Sequence, residues 1–149
     1  MKKNFITIEN YQQHAMRTCL PSCKNKEYAY YGYISEWHEY RSKVYGYFAK
    51  KIRGDSEEKL LQVREQIKGE LGDCFWFLAL KCELAKVDFA EIFRLKTAIT
   101  NSDIAEEMLK ITSACQGCKF EVEDVLQHNI DKLASRKQRG VIQGNGDER

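Results

Sequence analysis

Apolar residues recur along this chain at steps of three and four, the spacing that gathers them on one face of an α-helix, while strand-like alternation is scarce. A short first helix is expected over about residues 7–18, since Pro21 disfavours helical backbone just ahead of it. A second is expected from near Tyr28 to Arg53, stopped by Gly54, with Tyr33, Trp37, Tyr40, Val44 and Tyr47 as its inner stripe. A third starts at Asp55, with Glu58 three residues later as a capping-box partner, and runs to near Ala85. Its stripe is Leu60, Val63, Ile67, Leu71, Cys74, Leu78 and Cys82.

Asp88 and Glu91 repeat the capping pattern for a helix of about residues 89–98. Ser102 is placed to cap another, which carries Ile104, Met108, Leu109 and Ile111 and breaks at Gly117. A last helix is expected from about Glu121 to Gln138, with Val122, Val125, Leu126, Ile130 and Leu133 facing in and Gly140 as its stop. The Gly-rich tail of residues 140–149 is expected to be mobile in isolation. These elements predict an all-α bundle of about five to six helices, a single domain over residues 1–149.

A chain of 149 residues suits one hydrophobic core. The 24 basic and 22 acidic residues nearly balance, at net +2, which argues against a stable nucleic-acid partner. No stretch is long and apolar enough to span a bilayer, and no signal-peptide core follows Met1-Lys2-Lys3-Asn4, so the expected compartment is the cytoplasm. There the six cysteines are expected to be reduced thiols. Cys19 and Cys23 with Cys115 and Cys118 have spacings that a four-thiolate zinc site could use, but the first is loose and nothing else supports it, so plain thiols are the preferred reading.

Charge changes the picture most on the second and third helices. Glu36 and Glu39 share a face, as do Glu70 and Asp73. Most such pairs are simply solvated. Here Asp73 runs straight into Cys74-Phe-Trp-Phe-Leu-Ala-Leu80, apolar on every side, where a carboxylate is costly without a cation or donors. Four carboxylates from two packed helices make an all-oxygen site suited to Mg²⁺, with Mn²⁺ as substitute. A di-iron bundle would need a His three residues after a Glu, and His14, His38 and His128 all miss that spacing. On the last helix Asn129, Lys132 and Arg136 line one polar stripe. It reads either as a solvated basic helix end or as a clamp for phosphate. For Trp37 and Trp76, helical spacing favours core packing over base stacking. Lys50, Lys51 and Arg53 read either as complement to the helix dipole or as phosphate contacts.

These residues resemble the MazG-like all-α nucleoside triphosphate pyrophosphohydrolases, in their short single-domain form. The family's Glu-rich motif is similar to Ser35-Glu36-Trp37-His38-Glu39, and its Glu-x-x-Asp motif to Glu70-Leu71-Gly72-Asp73 within Glu70-Leu-Gly-Asp-Cys-Phe-Trp-Phe-Leu-Ala79. Asn129-Ile-Asp-Lys-Leu-Ala-Ser-Arg136 resembles the ending of such members, and Tyr11-Gln12 with Ala15, Arg17 and Thr18 their first helix. The resemblance implies metal-dependent hydrolysis of a nucleoside triphosphate, ribo or deoxy, to the monophosphate and pyrophosphate. It implies Glu36, Glu39, Glu70 and Asp73 as the catalytic metal ligands, and Asn129, Lys132 and Arg136 as substrate-binding residues. It also implies a homodimer or homotetramer. Ser35 stands where many members carry an acid, which leaves open both the number of metals and a non-catalytic regulator on the same bundle. The stretch of about residues 95–120 is longer than in minimal members, as an oligomer contact or substrate lid would be.

Overall fold

The computed structural model describes residues 5–95 and 102–140, all of Ser102 but its side chain. Among them are six α-helices: α1 Tyr11–Met16, α2 Lys26–Arg53, α3 Glu57–Ala85, α4 Phe89–Leu95, α5 Ser102–Gly117 and α6 Val122–Gln138. A 3-10 turn, Pro21–Cys23, joins the first two, and no strand occurs among the described residues. The molecule is a helical bundle, as the periodicity predicts.

The long antiparallel hairpin α2–α3 is its frame. Asn25 starts α2 by accepting the Tyr28 backbone N–H at 2.8 Å. Gly54 ends it in the left-handed region, φ 83°, where its N–H reaches back to the carbonyls of Lys50 and Lys51. The cap of α3 falls one residue later than expected. Ser56, not Asp55, accepts the Lys59 N–H at 3.3 Å, because Asp55 is engaged by the Arg53 guanidinium at 2.9 and 2.7 Å.

α3 packs against every other helix. Its run Cys74–Leu80 is buried throughout, as an all-round apolar segment must be at the centre of a bundle. The stripes of α2 and α6 face in as expected, as does that of α3 from Val63 onward, whereas Leu60 in its first turn is half-buried outside the core cluster. The apolar residues of α5 divide between two faces. Ile104, Met108, Ile111 and Cys115 keep to the inner face, whereas Leu109, a step round from Met108, is exposed. α1 is shorter than expected. It docks through Tyr11, Ala15 and Met16, and Thr18 beyond its end accepts the Trp76 indole N–H at 2.9 Å. Trp76 is therefore core, while Trp37 is half-buried against Tyr40, with Lys110 Nζ 4.9 Å from its ring centroid.

Asp88 accepts the Ala90 N–H at the start of α4. The expected residues 96–98 of that helix, the Ser102 cap and the tail from residue 141 lie outside the described residues. No helix among the described residues is long and apolar enough to cross a membrane.

Candidate functional site

The centre of α3 brings Glu70 and Asp73 beside Glu36 of α2. A carboxylate oxygen from each lies within 4.8 Å of the other two. Glu70 is only 1% exposed, and Glu36 and Asp73 are half-buried. Like charges this close in a poorly hydrated pocket raise each other's affinity for a proton. Glu36 registers this: burial first, then the charges of Asp73 and Glu39, push its carboxyl up to about 8, against a hydrogen bond with Glu70 and the charge of Lys132.

Asp73 is held from both sides by α6. Asn129 Nδ2 donates to Oδ1 at 3.0 Å, and Lys132 Nζ donates to Oδ2 at 2.7 Å. Asn129 is fully buried, and its own oxygen accepts the Tyr11 hydroxyl at 2.8 Å. The helices meet this closely because residue 72 has no side chain. A Cβ there would stand 2.9 Å from Asn129 Cβ and 3.4 Å from the Val125 carbonyl oxygen. Arg136, one turn beyond Lys132, is buried on the same helix.

The donor set fits a hard divalent cation: three carboxylates from two rigid helices, all oxygen, with their orientation supported by hydrogen bonds. Lys43 Nζ, 3.8 Å from Glu70 Oε1, and Lys132 offset part of the charge. Burial and the neighbouring carboxylates favour a proton on Glu36 near neutrality, and a bound cation would take that proton's place.

Of the expected carboxylates, Glu36, Glu70 and Asp73 converge. Glu39 stands half-exposed outside their group, though its charge reaches Glu36. Asn129 and Lys132 engage the group directly. Lys50, Lys51 and Arg53 stand at the far end of α2, where Arg53 pairs with Asp55. His38 is exposed, and no histidine joins the carboxylates.

The zinc reading of the cysteines is not supported. All six are free thiols, and no group of three or more metal-ligating side chains among the described residues includes one. Cys23 lies beside Tyr28 near the start of α2, whereas Cys118 lies 4.0 Å from the Tyr40 hydroxyl, past the end of α5. Sequence reasoning missed Lys43 and Tyr11. Lys43 is signalled by its place seven residues after Glu36, on one helix face. Tyr11 has no local signal, since its partner is 118 residues away.

The chain is 29% identical over 129 residues to the Gene 37 protein of Mycobacterium phage L5, a match covering 86% of this chain and 80% of that one. That name states no activity. No protein-family model and no solved structure matches the chain.

Proposed function

We propose that this chain is a MazG-like nucleoside triphosphate pyrophosphohydrolase that works with Mg²⁺, or Mn²⁺ in its place, held by Glu36, Glu70 and Asp73. The observation that carries this reading is the convergence of three carboxylates from two helices, with a carboxylate oxygen of each within 4.8 Å of the other two and Glu70 fully buried among them. A divalent cation held there would supply charge neutralisation and Lewis acidity for attack on phosphorus.

The chain's own residues do the rest. Lys132, anchored on Asp73, and Arg136, one turn further, hold phosphate oxygens. The first is a point charge and the second a planar fork. Lys43 extends this cationic rim on the α2 side. Asn129 holds the Asp73 carboxylate in a fixed orientation, as a cation ligand would need. Glu39, half-exposed beside the group, orients the attacking water and accepts its proton. Positioning and charge stabilisation are the main demands of such phosphorus chemistry. The products are the nucleoside monophosphate and pyrophosphate.

The four carboxylates then separate into two classes. Glu36→Gln, Glu70→Gln and Asp73→Asn are expected to lose Mn²⁺ binding and to lower turnover by about 100-fold or more, with helical circular dichroism retained. Glu39→Gln is expected to lower kcat by a similar factor while Mn²⁺ still binds. Full activity in all four variants would overturn the assignment.

A second reading, a non-catalytic nucleotide-binding or protein-interaction regulator on the same bundle, is favoured by Ser35, exposed where related motifs carry an acid. Tight nucleotide binding without metal-dependent turnover would select it.

A further inference from the structure

Tyr11 is the first residue of α1, fully buried, with its ring tilted against Phe89 at 5.2 Å between centroids. It contributes no oxygen to the carboxylate group and lies too deep to meet a substrate. Its hydroxyl is nevertheless the start of a directed chain. Tyr11 Oη donates to Asn129 Oδ1 at 2.8 Å, Asn129 Nδ2 donates to Asp73 Oδ1 at 3.0 Å, and Lys132 Nζ takes the other Asp73 oxygen at 2.7 Å. Burial, with Asp73 and Cys74 nearby, holds the phenol well above its usual range, so it stays protonated and able to donate. A donor on the amide oxygen polarises the amide and strengthens what its N–H₂ gives to Asp73. Without it, a fully buried amide oxygen is left bare. Asn129 relieves that only by drawing in water or by swinging away from Asp73.

We propose that Tyr11 is a positioning residue of the carboxylate group. Acting through Asn129, it fixes the Asp73 carboxylate and thereby sets the affinity of the site for divalent cations, so that a helix supplying no ligand controls the site. This inference rests on the reading of Glu36, Glu70 and Asp73 as a cation site.

The test is calorimetric titration of the full chain with Mn²⁺, alongside thermal melts. Tyr11→Phe keeps the ring and removes the hydroxyl, and is expected to raise the Mn²⁺ Kd by about 10-fold or more. In an Asn129→Ala background the same substitution is expected to change Kd less than about twofold, because the route to Asp73 is already cut. Phe89→Leu serves as the packing control. It trims the ring against Tyr11 but keeps the hydroxyl, and is expected to lower Tm and leave Kd within about twofold. An unchanged Kd in Tyr11→Phe overturns the inference, as does an equal loss with and without Asn129. If the wild-type chain shows no saturable Mn²⁺ binding, the cation site itself is wrong and this inference falls with it. Wild-type binding with an indifferent Tyr11→Phe removes only the role of Tyr11.

Discussion

Glu36 carries the most information of any single side chain. Its carboxyl is pushed up to about 8, mainly by burial and by the charges of Asp73 and Glu39. A folded-state value above the ordinary one means that folding favours the protonated form. In the cation-free protein the Glu36 contribution to stability is therefore complete below about pH 4.5 and is lost as pH rises through about 8. Tm is expected to fall over that range without metal, and saturating Mn²⁺ is expected to flatten the fall. Because the cation takes the place of the proton, binding at pH 7 releases protons, which calorimetry in two buffers of different ionisation enthalpy would reveal. Binding without proton release, and with an affinity indifferent to pH, would contradict this account of the site. Glu70 and Asp73 were legible in the sequence because they lead into a wholly apolar run, where a carboxylate demands a reason. Spacing alone did not say that Glu36 enters the group while Glu39 stays at its edge. That depends on how α2 is rotated against α3, a property of packing.

At the scale of elements, the site exists because α3 and α6 approach closely at Gly72. This glycine lies inside the motif Glu70-Leu71-Gly72-Asp73, but its role becomes visible only with α6 in place. Gly72→Ala would set a methyl group 2.9 Å from Asn129 Cβ, near the helix axis rather than at a side-chain end that can move cheaply. The expected cost is about 1–3 kcal/mol of stability. Weaker Mn²⁺ binding should follow as Asn129 and Lys132 are levered from Asp73. An unchanged melt and an unchanged titration would show that α6 has slack here. The helices themselves were legible to within a residue or two at most ends, since a stripe of apolar residues and a stop signal such as Gly54 are local properties. The cap of α3 was misplaced because Asp55 and Ser56 are both good caps, and the Arg53 side chain decides between them.

For the whole molecule, the outer face of α2 bears on assembly. Tyr45, Phe48 and Ile52 follow one another at steps of three and four, and are exposed, Ile52 to 88%. They form more apolar surface on one face of α2 than a lone bundle this small needs. A homodimer or homotetramer through this face is expected. Light scattering should find an assembly that a Phe48→Asp, Ile52→Asp double variant dissociates, and a wild-type monomer at every concentration would contradict it. Product analysis by ³¹P NMR decides the proposed reaction. Purified protein would be incubated with a panel of ribo- and deoxynucleoside triphosphates, with Mg²⁺ and with chelator. Monophosphate and pyrophosphate are expected with Mg²⁺, and neither with the chelator. Release of orthophosphate and nucleoside diphosphate, or no turnover of any triphosphate with Mg²⁺, would refute the proposed reaction.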